Sequence, residues 1–210
     1  RIMHQPAYAP TLFARTGVAY FPLAFIARLP FAMMVVGVLT LLVAARGSME
    51  LGGMVSAVVG IGSAIVGPFV GAAADRFGQR RVLIAASAIS IVSVCGFLLL
   101  VLSDATITAI CVVAFVTGGT TPQVSPFSRS RLVVFADTPR TEATRGRAMS
   151  MVMSYESVVD EASFVLGPAL LGLVVVLASP ELALLIAAAT LIVFGCAFAL
   201  HPTARLTHAH

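Results

Sequence analysis

Long apolar runs broken by short polar clusters make up almost the whole chain. Six runs reach spanning length, at residues 17–45, 51–74, 82–103, 106–127, 148–178 and 181–200. Each is near or above the ~20 residues that cross a bilayer as a helix, and a helix satisfies its own backbone where water is absent. The pattern predicts an all-α membrane bundle over 17–200, preceded by a segment at 1–16 and followed by the start of a linker or tail at 201–210. Connections at 46–50, 104–105 and 179–180 are so short that the runs they join should be antiparallel neighbours. Only 75–81 and 128–147 carry much polar material, and Thr138 to Arg147 reads as a surface turn or a short interfacial helix.

Charge gives the bundle a direction. The two polar loops and the chain ends hold Arg1, Arg15, Arg76, Arg80, Arg81, Arg129, Arg131, Arg140, Arg145, Arg147 and Arg205, against Arg46 alone on the other side. Basic residues are retained on the cytoplasmic side of a membrane, which predicts that both termini lie there. Composition agrees, since 59% hydrophobic and 10% charged residues with a mean hydropathy of +1.02 leave too little polar material to coat a soluble globule. The pI of 9.5 makes no case for nucleic acid, because the net charge of +4 is small beside the clustering of the basic residues, all of them arginine. Cys95, Cys111 and Cys196 sit in apolar runs without C-x-x-C spacing or a nearby histidine, and are expected to be buried and reduced, with neither metal nor disulfide. The chain starts at Arg1, and its first run is too long for a signal peptide, so a trimmed start and a retained first span are expected.

An internal repeat links the second and fifth runs. Shifted by one hundred residues, Ser63-Ala-Ile-Val-Gly67-Pro68 falls on Ser163-Phe-Val-Leu-Gly167-Pro168. The two runs cross in opposite directions, which puts the Gly-Pro steps near opposite faces of the membrane. That is the geometry of an inverted three-plus-three repeat, although Gly-Pro steps are also common in membrane helices in general.

Residues 71–83 read GAAADRFGQRRVL. They resemble the loop signature of the major facilitator superfamily, G-x-x-x-D-R-x-G-R-R-x-x-L, at Gly71, Asp75, Arg76, Gly78, Arg80 and Leu83, with Arg81 beside them. Gln79 departs from it where a basic residue is usual. Gly71 is expected to admit a close helix neighbour and Gly78 a positive φ, while the arginines stay at the cytoplasmic face. Asp75 is expected to pair with them or to cap a helix. The resemblance implies that this turn latches the two halves of a transporter in the outward-open state, with Asp75 and Arg76 as gating residues. Charge alone would also fit an ordinary positive-inside loop, but the Gly-Asp-Arg-Gly spacing favours the signature.

Four charged residues fall inside runs: Arg28 in the first, and Glu156, Asp160 and Glu161 in the fifth. Charges in hydrocarbon are costly and mark functional candidates by default. Counted from Gly17 and Met149 at ~1.5 Å per residue, Arg28 and Asp160 each lie roughly 16 Å deep in a ~30 Å core, the right depth to pair. Glu156, Asp160, Ser163 and Gly167 form one helical stripe, with Glu161 about 100° away. Asp160 or Glu156 could then exchange a proton under the influence of Arg28. A static ion pair that orders the first and fifth helices fits as well.

The segment SFVLGPALLG, Ser163 to Gly172, resembles the fifth-helix signature of proton-driven exporters in the same superfamily, G-x-x-x-G-P-x-x-G-G. Gly167, Pro168 and Gly172 match, and Ser163 and Leu171 depart. Pro168 removes a backbone donor and Gly167 admits a neighbour, as Pro68 and Gly67 do in the second run. Arg129 to Leu132, RSRL, followed by the acidic stretch further resembles an arrangement in actinobacterial members. The resemblance covers essentially all of the chain as an amino-terminal six-helix half. It implies a secondary active transporter moving a small solute by alternating access, driven by a proton gradient without a cofactor and leaning to efflux. It implies a bacterial-type plasma membrane, and as partners lipid, a small-molecule substrate and a second six-helix bundle, either a missing half, a homodimer mate or a split partner. Two other classes compete. A non-transporting assembly protein would suit the small-residue stripe Gly60, Ala64, Gly67 and Gly71. An intramembrane serine protease could use GIGSA at Gly60–Ala64, but the four histidines are terminal and leave Ser63 without a base, so no enzyme is expected.

Overall fold

A computed structural model describes residues 16–103, 105–137 and 141–204. Among these no strand occurs, and six helices are long and apolar enough to cross a membrane: α1 (Tyr20–Arg46), α2 (Met49–Phe77), α3 (Gln79–Leu102), α4 (Ile107–Ala136), α5 (Glu142–Leu177) and α6 (Pro180–Leu200). The six expected runs are all present. Of the expected end segments, the described residues include only Thr16 on one side and 201–204 on the other.

Local chemistry fixes most of the helix ends. Ser48, Thr106, Thr141 and Ser179 precede α2, α4, α5 and α6, and each hydroxyl accepts from the backbone N–H three residues on. Gly47, at φ 66°, stops α1 in a left-handed turn. Gly78, at φ 97°, lets the chain reverse between α2 and α3, as expected of it.

Three helices are irregular within the span. α1 is interrupted at Ala27–Arg28, between segments Tyr20–Ile26 and Leu29–Arg46. α4 breaks between Thr120 and Val124, where Pro122 supplies no N–H and holds Thr121 extended. α6 carries a π turn at Leu191–Gly195. After its break α4 runs on to Ala136 rather than ending near 127, because Val124, Phe127, Leu132 and Phe135 keep an apolar face in helical register and are buried. Arg129 and Arg131 therefore belong to a helix and not to the expected loop. Of the segment read as a surface turn or a short interfacial helix, the part from Glu142 on is helix and continuous with the fifth span, and Arg145 pairs back to Asp137 at the end of α4.

Packing is closest between α2 and α4. Gly62 lies against the backbone of Phe115 and Gly118 against that of Val59, so tightly that neither position has room for a Cβ. α5 meets α1 at Gly167, where a Cβ would stand 2.7 Å from Ala32 Cβ. One apolar cluster, with Tyr20, Leu132, Phe135 and Phe198, fills the arginine-rich end. Another, with Leu41, Val55, Phe97 and Ile110, fills the opposite end. There the guanidinium of Arg46 bonds the carbonyls of Ser103 and Ala105 and ties α1 to the end of α3. Phe69, Val92, Leu99 and Val176 point outward, as lipid-facing side chains do. Cys95 joins them: it is exposed rather than buried, Cys111 and Cys196 are half-buried, and all three are free thiols.

Candidate functional site

The interruption of α1 presents Arg28 to α4 and α5. Arg28 is 3% exposed, and its guanidinium reaches Glu156 Oε2 at 2.5 Å and Asp160 Oδ1 at 2.9 Å. The expected pairing with Asp160 is present, and Glu156 joins it. Arg28 also donates to Ser125 Oγ at 3.2 Å and to the Ala24 carbonyl at 3.0 Å. Ser125 donates to Asp160 and Ser128 to Glu156, at 2.5 Å and 2.7 Å, and Tyr20 bonds Ser128 at 2.9 Å. Glu156 is wholly buried, whereas Asp160 is 22% exposed and has Arg129 at 3.7 Å from its second oxygen. The two carboxylates thus differ in access, one sealed in the bundle and one at its edge. Glu161 points away from this cluster, is exposed, and has no ion pair or hydrogen bond among the described residues.

Asp160 opens onto a cavity of about 210 Å³, which Arg28, Phe31, Gln123, Ser163 and Phe164 also line. Phe31 and Phe164 meet edge to face with ring centres 6.4 Å apart. Two neighbouring hollows, of about 400 Å³ and 230 Å³, share Gln123 with it, so the break in α4 is where the three adjoin. Gln123 donates to Ser63 Oγ at 2.6 Å and bridges α4 to α2. Ser63 is also part of the wall of two of these hollows. Gly60, Ala64, Gly67 and Gly71 line these hollows. Gly71 therefore corrects the expectation of a close helix neighbour, since nothing lies within 4 Å of where its Cβ would be. Gly172 is likewise open, and Gly67 faces the Gln123 side chain. Pro68 borders the larger hollow, and Pro168 is half-buried on α5. The helices run on through both prolines.

At the turn between α2 and α3, Asp75, Arg76 and Arg80 are exposed, as is Arg81. Asp75 neither pairs with these arginines nor caps a helix; Arg76 stacks on Phe77 instead, 5.3 Å from the ring centre. Gln79 behaves unlike its neighbours: it is 4% exposed, accepts from Arg131 Nε at 2.9 Å and donates to Ser130 at 2.9 Å.

Sequence reasoning missed Tyr20, Ser125 and Ser128 in the charged cluster and Arg131 beside Gln79. Hydroxyls carry no signal of their own in an apolar run. Arg131 did have one, because it falls on the same helical face as Val124, Phe127 and Phe135.

The likeness to known proteins extends over nearly all of the residues that form these helices. The family described as Major Facilitator Superfamily matches residues 20–209. No curated protein and no solved structure matches the chain. With that match spanning all six helices, the chain belongs to the Major Facilitator Superfamily, a family of membrane transporters.

Proposed function

We propose that the chain forms the amino-terminal half of a proton-coupled secondary transporter that exports a small solute by alternating access. The observation that carries this is the Arg28–Glu156–Asp160 cluster at the edge of a mid-span hollow, where one carboxylate is sealed and the other is accessible. Asp160 takes and releases the proton, Arg28 sets its affinity, and Glu156 holds Arg28 in place. Efflux follows from the resemblance at Ser163 to Gly172. The hollows along α2, α4 and α5 face a second six-helix bundle, and the arginine-rich end faces the cytoplasm with Asp75 and Arg76 as parts of its latch. The two Gly-Pro steps belong to a three-plus-three inverted repeat.

Proteoliposomes containing a pH-sensitive dye, tested with a panel of small organic solutes, provide the experiment. A solute-driven pH change should occur with the natural sequence and be lost in Asp160→Asn. Unchanged proton flux in both Asp160→Asn and Glu156→Gln would remove the proton-carrying role. No solute-dependent flux at all would favour a six-span assembly protein, which the stripe at Gly60, Ala64, Gly67 and Gly71 would also serve.

A further inference from the structure

The turn at 71–83 departs from its family signature at one charged position, Gln79, and that position is the buried one. Gln79 meets Arg131, which is 1% exposed. Arg131 Nε donates to the Gln79 carbonyl oxygen at 2.9 Å, and Nη1 donates to the carbonyl of Phe198 at 2.8 Å and to Thr203 Oγ1 at 3.4 Å. The guanidinium carbon lies 4.0 Å over the Phe198 ring. Nη2 is buried without a partner, and Arg131 makes no ion pair among the described residues.

This arrangement has room for one cation and no more. The Gln79 amide accepts from Arg131 while donating to Ser130; a lysine or arginine at 79 could do only the second. It would also set two buried positive charges against each other with no carboxylate paired to Arg131 among the described residues and one arginine donor already unused. The missing basic residue of the signature and the unexpected buried arginine of α4 are thus two sides of one fact.

We infer that the cation of this turn has moved from the start of α3 to Arg131 on α4, and that Arg131, seated by Gln79, is a positioning residue for the latch. It fastens the first turn of α3 to the ends of α4 and α6 and to Thr203 just beyond. Opening of the arginine-rich end must loosen this fastening. The inference rests on the proposed alternating-access latch.

Thiol labelling tests both levels. Ala64 lines two of the hollows, so Ala64→Cys, with Cys95, Cys111 and Cys196 replaced by serine, reports access to the centre. The full chain is labelled in its native membrane with a membrane-impermeant maleimide, using right-side-out and inverted vesicles. Labelling from both sides is expected in this parent. Gln79→Arg should shift the ratio of cytoplasmic to external labelling at least tenfold towards the cytoplasmic side. Gln79→Arg with Arg131→Gln should return it to within twofold of the parent. Gln79→Glu, which gives Arg131 a carboxylate, should shift the ratio the other way. A merely structural contact would lower the amount of folded protein and leave the ratio alone. If Gln79→Arg does not fold, an unmoved ratio in Gln79→Glu overturns the inference. So does a double variant that folds but stays as displaced as Gln79→Arg. One-sided labelling of the parent overturns the alternating-access reading and the inference together, whereas two-sided labelling with unmoved ratios overturns the inference alone.

Discussion

Arg28 engages four acceptors on its own helix, α4 and α5 while almost none of it is exposed. Removing one member of such a set leaves charge buried without compensation. Arg28→Ala should therefore lower unfolding free energy by about 3–5 kcal/mol, measured by denaturation in detergent. Arg28→Met combined with Glu156→Gln should cost less than Arg28→Ala alone, because the wholly buried carboxylate is then no longer left charged, while the part-exposed Asp160 keeps Arg129 at 3.7 Å. His201, just beyond α6, gives a second residue-level expectation. Burial first, and then the nearby positive charge of Arg131, hold its pKa below the ordinary 6.5. The unfolded chain thus takes up the proton more readily, so this group favours folding above 6.5 and withdraws that support as pH falls from 6.5 through its lowered folded value. Between pH 7.5 and pH 5 the melting temperature of the natural sequence should fall further than that of His201→Gln. Part of this site was legible beforehand, since counting residues at a fixed helical rise put Arg28 and Asp160 at one depth. The serines that complete the network were not, because a hydroxyl in an apolar run looks the same whether it bonds its own helix or another. Arg131 reads as a loop residue by its charge alone, and only the apolar register of Val124, Phe127 and Phe135 carries the helix past it.

Among the helices, glycine serves two distinct purposes that one-letter spacing does not separate. Gly62 and Gly118 press α2 and α4 together at backbone distance, whereas Gly71 and Gly172 face open space. Gly118→Ala should destabilise the bundle by about 3 kcal/mol or more, since backbone rather than a flexible side chain stands in the way. Gly71→Ala should leave the melting temperature within a degree or two of the natural protein. The order and existence of all six spans could be read from hydropathy, because length in a bilayer is a hard constraint. The breaks could not. Pro68 and Pro168 sit inside helices that continue through them, while Pro122, preceded by Thr121, coincides with a real interruption of α4. A proline's effect depends on what neighbouring helices offer the freed backbone, which is a tertiary property.

At the level of the whole molecule, the hollows and the exposed carboxylate of Glu161 point in directions where the described residues offer them nothing. An unpaired carboxylate at that depth is poorly suited to hydrocarbon. The solubilised native particle should accordingly have a protein mass well above the 21.8 kDa of this chain, by light scattering or native mass spectrometry. A protein mass of one chain would argue against the second bundle. The π turn at Leu191–Gly195 has a separate bearing on Arg131. A π turn holds one residue more than the α-helix around it needs. Closing it into regular α-helix with every residue kept would rotate everything beyond by about 100°. The Phe198 carbonyl and ring would swing off Arg131, undoing the fastening by a change of phase without altering one side chain that touches it.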